Sequence, residues 1–157
     1  MDINEHMKPD KLEYYSFVWS EARLLIAAVA LAIGGVPVLR AIFPIPAFYS
    51  LIGLVLTVSW LISGAVSAYL LYRWVMGGKL LFGKKDNLDL VAFMVNVVTG
   101  FNLGYTGLIG TNIGMSMVPM ANARVIFGIA AIVYIGTAIY LYRRWDASGK
   151  RIFSSAV

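Results

Sequence analysis

The chain has 157 residues, of which 60% are hydrophobic and only 13% charged, with a net charge of +5 and no cysteine; globular domains carry roughly 25% charged residues. That composition excludes an ordinary water-soluble domain, and the missing cysteine excludes disulfides, thiolate metal sites, iron–sulfur ligation and cysteine nucleophiles. The small basic excess flanks hydrophobic segments, as membrane orientation requires, so the expected partner is the lipid bilayer and not nucleic acid.

Charge placement gives the class. Only Arg40 is charged between Arg23 and Arg73, and only Arg124 between Asp89 and Arg143. About 20 predominantly apolar residues cross a bilayer core as a helix. The apolar stretches accommodate four crossings, so the expectation is an all-α, polytopic integral membrane protein of four transmembrane helices in a single membrane domain, 1–157.

Residues 1–15 form a polar segment of mixed charge with no hydrophobic run before the first span, unlike a cleavable signal peptide. Pro9, Asp10 and Glu13 spell a helix start, and the helix is expected to enter the membrane near Ser16, with Tyr14, Tyr15 and Trp19 at the headgroup level. The first span is predicted over 16–38, ending or kinking at Gly34, Gly35 and Pro37. Pro44 and Pro46 then impose a short extended connection. A second span follows over 48–74, and GGKLLFGKKDN, with Lys79, Lys84 and Lys85, reads as a basic loop. Asp86 and Asn87 can cap the third span near Leu88. The fourth span is predicted over 121–144, and residues 145–157 form a polar tail.

Lysine and arginine placement sets the orientation. With the N-terminus cytoplasmic, that side holds Lys8, Lys11, Arg23, Arg73, Lys79, Lys84, Lys85, Arg143, Arg144, Lys150 and Arg151, and the far side only Arg40 and Arg124. Both termini are therefore expected in the cytoplasm, of a prokaryotic cell with the chain in its cytoplasmic membrane.

The third span is the unusual one. Leu88 to Val118 is too long for one upright crossing at about 1.5 Å per residue, and it contains Asn96, Thr99, Asn102, Thr106, Thr111 and Asn112 among several glycines. Three structures fit: a span over 88–107 with an interfacial segment after it, a long tilted helix extended to 118, or a helix broken into a re-entrant piece. Asn102-Leu103-Gly104 and Asn112-Ile113-Gly114 repeat one unit, which either surrounds a solute with amides and carbonyls or reflects close helix packing by small residues. On the second span Ser59, Ser63 and Ser67 share a face, as an interhelix seam or as a wet path.

All eight carboxylates, Asp2, Glu5, Asp10, Glu13, Glu21, Asp86, Asp89 and Asp146, are expected on the cytoplasmic side or at its boundary, which disfavours proton-coupled exchange at the bilayer centre. Glu21 is expected to pair with Arg73. Asp89 either complements the start of the third span or begins a polar track toward Asn96 and Thr99. Arg40 and Arg124 either reach lipid phosphate or form an electropositive mouth. His6 is the one histidine, and neither a nucleophile–base pair nor a metal motif nor a phosphate loop is present, so no enzyme, cofactor or metal is expected. The functional expectation is a small channel or facilitator acting as a homo-oligomer, with the third span and the serine face of the second lining the path. The alternative is a non-catalytic structural or accessory subunit bound to other membrane subunits.

Overall fold

The computed structural model describes residues 9–153, and among them there are helices, turns and one isolated bridge, but no strand. Residues 1–8, with Asp2, Glu5, His6 and Lys8, lie outside the described residues. The elements are α1 (Pro9–Ala32), α2 (Val38–Ile42), a 3-10 turn (Pro46–Phe48), α3 (Tyr49–Met76), α4 (Asn87–Ile109), α5 (Ile113–Ser116), a second 3-10 turn (Met120–Asn122) and α6 (Ala123–Ala147). Four helices, α1, α3, α4 and α6, are long and apolar enough to cross a membrane.

α1 begins at the expected Pro9-Asp10 start signal, and it stops at Ala32, short of the expected 38, because Gly34 (φ 92°) and Gly35 (φ 82°) take the left-handed conformation that closes a helix end. α4 begins where Asp86 accepts from the amides of Leu88 (2.8 Å) and Asp89 (3.2 Å), satisfying donors that the first turn leaves open. It runs uninterrupted to Ile109 and ends at Gly110, φ 76°. The third region is therefore neither one helix to 118 nor a broken one: it is a span followed by a connection folded back through the single turn of α5.

Small residues set the α3–α4 seam. A Cβ on Gly104 would lie 2.6 Å from the Cα of Gly64, and one on Gly107 would lie 3.1 Å from the amide nitrogen of Leu61. Without side chains at these points the two backbones approach closely, the packing mode that replaces hydrophobic drive between helices in lipid.

The largest buried apolar cluster sits at the end of the bundle where the first half of α1 meets residues 152–153. Phe17, Leu70, Phe93, Val97, Leu141 and Trp145 form it, with Leu81 from the expected basic loop and Ile152 and Phe153 from the expected polar tail. Those last three are only 2%, 2% and 3% exposed. Loop and tail are thus corrected to part of the packed end, because each carries apolar side chains whose burial contributes about 1.5–3 kcal/mol apiece. Glu13 fixes the tail: one carboxylate oxygen accepts from the amides of Ile152 and Phe153, both at 3.1 Å, and the other pairs with Arg73 at 3.1 Å. The amide of Phe82 donates to the Ile152 carbonyl at 2.7 Å, locking the loop to the same tail.

Candidate functional site

Midway along α1, where it packs on α4, a set of polar side chains is enclosed by the bundle. Glu21 is 8% exposed, Arg23 6% and Asn96 3%. Glu21 and Arg23 are two residues apart and do not face each other on the helix; the Asn96 side chain joins them. Its amide nitrogen donates to Glu21 Oε1 (2.8 Å) and Ser20 Oγ (3.2 Å), while its Oδ1 accepts from Arg23 Nη2 (2.5 Å). An amide side chain carries its donors and its acceptor on separate atoms, so it presents an N–H to a carboxylate and an oxygen to a guanidinium at once. Arg23 also donates to the Asn96 carbonyl (2.8 Å) and to Thr99 Oγ1 (3.1 Å). Room for its guanidinium comes from Gly100, where a Cβ would stand 3.1 Å from Arg23 Cζ and would collide with Ser67 Oγ.

Three polar atoms in and beside this cluster, Glu21 Oε2, Arg23 Nε and Ser67 Oγ, are buried and have no hydrogen-bond partner among the described residues. Buried polar groups are nearly always paired, and charged groups enclosed by membrane-spanning helices mark functional sites by default. An apolar groove of about 930 Å³ lies alongside, walled by Gly64, Ala68, Val98 and Leu108 among others, with Thr99, Asn102, Tyr105 and Tyr134 as its polar members. Thr99 belongs both to the groove wall and to the hydrogen-bonded set around Arg23.

Two expectations for charged residues are overturned. Glu21 is not paired with Arg73: it stands midway along α1, enclosed by the bundle, and Arg73 meets Glu13 near the start of that helix. Asp89 stands in the first turn of α4, where a negative charge complements the helix start that Asp86 caps; it is also fully buried and turned to α6, accepting from Arg144 Nε (2.7 Å), Arg144 Nη2 (2.6 Å) and Tyr140 Oη (2.7 Å). No track leads from Asp89 to Asn96, because the two face different helices.

Other sequence candidates are placed apart from the cluster. The two Asn-apolar-Gly units do meet, but they bond to each other: Asn102 Nδ2 donates to Asn112 Oδ1 at 2.9 Å, and Asn102 Oδ1 accepts from the Gly114 amide at 3.3 Å. Asn112 Oδ1 also accepts from the Met115 amide at 3.0 Å, so the pair secures the folded-back connection. Thr106 Oγ1 bonds back to the Asn102 carbonyl at 2.8 Å. On the serine face, Ser63 donates to the Ser59 carbonyl at 2.7 Å and accepts from Trp19 at 3.2 Å, which makes that stretch a seam; Ser67 alone reaches the cluster. Thr111, Arg40 and Arg124 are exposed. Ser20, Arg23 and Gly100 were not picked out as site residues from sequence; the available signal was an acid and a base two apart in the middle of a helix that starts at Pro9.

Comparison with known proteins adds no relative: no protein-family model, no curated protein and no solved structure matches the chain.

Proposed function

We propose that the chain is a small channel or facilitator for a small solute or ion, inserted in a prokaryotic cytoplasmic membrane with both termini in the cytoplasm. The observation that carries this reading is the enclosed Glu21–Asn96–Arg23 cluster with its unpartnered polar atoms, since desolvating such groups is costly and is tolerated where they handle a ligand. The uneven distribution of lysine and arginine supports the orientation. The solute pathway runs past Thr99, Asn96 and Ser67 and not along the rest of the serine face, where the Ser63 hydroxyl is used in packing. A homo-oligomer fits because the groove beside Thr99, Asn102 and Tyr134 opens away from the bundle, where a second copy would close it.

A second, non-catalytic reading as an accessory subunit is favoured by α6, where a Cβ on Gly128 or Gly136 would meet nothing within 4 Å, leaving a small-residue face open to another membrane helix. Reconstitution of the purified chain alone into liposomes separates the two. Under the facilitator reading, one or more of potassium, chloride, nitrate, formate, urea and glycerol crosses faster than in empty vesicles, and Asn96→Leu abolishes that flux while the oligomer persists. If none crosses faster, the accessory reading replaces it.

A further inference from the structure

We infer that the cluster around Asn96 is a binding site for a small monovalent anion of the halide, nitrate or formate class, which enters together with a proton on Glu21; this rests on the facilitator reading. The inference comes from an inventory of donors and acceptors. The acceptors Asn96 O, Asn96 Oδ1, Thr99 Oγ1 and Ser20 Oγ are all engaged. What stays open is a guanidinium N–H on Arg23, a hydroxyl on Ser67 and one carboxylate oxygen on Glu21. Each belongs to a residue more than nine-tenths buried: Arg23 is 6% exposed, Ser67 0% and Glu21 8%.

With Glu21 ionised the cluster is neutral, one negative charge against one positive. A cation entering that state would face the guanidinium with a single open carboxylate oxygen to hold it, and an anion would face the carboxylate; both add a net charge in a desolvated site. When a proton from water bonds to Glu21 Oε2, the three open valences all become donors and the net charge becomes +1. An anion then supplies the missing acceptor and restores neutrality. One proton and one anion thus occupy the site as a neutral pair, the form that a low-dielectric interior penalises least. Among the described residues the charged and titratable groups around Glu21 are few: Arg23 on its own helix and Tyr134 on α6, within electrostatic reach of Arg23, while α3 and α4 present the neutral Ser67, Asn96 and Thr99.

The test uses the full chain purified in detergent, weakly buffered with a pH-indicator dye, and titrated with sodium chloride, nitrate or formate against sodium sulfate. Saturable uptake approaching one proton per chain is expected with the monovalent anions and not with sulfate. Because each bound anion brings one proton, affinity falls by about tenfold per pH unit where Glu21 is otherwise ionised. Glu21→Gln, which keeps the contact to Asn96 and supplies a permanent N–H donor, loses the proton uptake and binds the anion independently of pH. Arg23→Gln removes binding, and the conservative Glu21 variant keeps the test informative should the arginine variant fail to fold. Absence of proton uptake by folded wild-type protein overturns the inference, as does uptake that survives in Glu21→Gln or that follows the identity of the cation. Liposome flux separates the two levels: solute flux without anion-linked proton uptake removes the inference and leaves the facilitator, while Glu21-dependent uptake without flux of any solute removes the facilitator reading and leaves a bound-ion site.

Discussion

Asp89→Asn is a stringent test of the packing at the end of the bundle that holds Ile152 and Phe153. The native carboxylate has no exposed surface and accepts three hydrogen bonds, two from Arg144 and one from Tyr140, at 2.6–2.7 Å. Asparagine keeps the shape but removes the charge, and it turns one acceptor into an N–H₂ that confronts either the guanidinium or the phenol. Removing one partner of a buried ion pair costs about 3–5 kcal/mol. The Arg144 side chain is 25% exposed, so it can swing to water and recover part of that; the expected loss is at the lower end, about 3 kcal/mol. Equilibrium unfolding in mixed micelles measures it, alongside the Asp89→Leu/Arg144→Leu double variant. That pair, apolar on both sides, is expected within about 1 kcal/mol of wild type, because replacing both members of a buried pair is often neutral. An Asp89→Asn variant within about 0.5 kcal/mol of wild type, the range of an ordinary surface change, would refute the assignment of this contact as a buried brace between α4 and α6.

Two further substitutions probe the tail and the seam. Glu13→Gln leaves one acceptor for the amides of Ile152 and Phe153 and removes the pair with Arg73; hydrogen exchange at those two amides is expected to accelerate by roughly tenfold or more, as the loss of charge-assisted bonds implies, and unchanged protection would contradict the tail clasp. Gly104→Val places a Cβ against the Gly64 backbone at 2.6 Å and forces α3 and α4 apart, at a cost of about 3 kcal/mol in the same unfolding assay, whereas Gly53→Ala, with nothing within 4 Å of the new methyl, is expected to be neutral or slightly stabilising. Equal behaviour of the two glycine variants would contradict the seam.

Hydropathy and charge spacing made the four long helices and the Asp86 cap legible, because both depend on local features: runs without charge, and a side chain two and three positions ahead of free amides. The start of α1 at Pro9 and Asp10 and its end before Gly34 and Gly35 were legible on the same local grounds. The surroundings of Glu21 were not, because nothing near it in sequence shows that Asn96 stands between it and Arg23. Partner choice was not legible for the same reason: Glu21 to Asn96, Asp89 to Arg144 and Glu13 to Arg73 each join residues far apart in sequence, and which helices pack is fixed by shape, here by Gly64, Gly100 and Gly104. The Asn102–Asn112 meeting was visible as a repeat, yet its chemistry was not, since two amides that could hold a solute are as well satisfied by each other. Composition makes the tail polar, yet the pair Ile152 and Phe153 is enough to anchor it, with Gly149, Lys150 and Arg151 left exposed.

The most direct measurement is the depth of the charged cluster in a bilayer. The chain has no cysteine, so a single Val98→Cys variant carries a spin label at a position that is 62% exposed on α4 and lies between Asn96 and Thr99 in sequence. In liposomes the label is expected to be relaxed strongly by oxygen and shielded from a water-soluble nickel complex, at a depth near the bilayer midplane, while a label at Lys85 shows the reverse. Nickel access at position 98 equal to that at position 85 would place Glu21, Arg23 and Asn96 at an aqueous level and remove the basis for a solute site within the membrane.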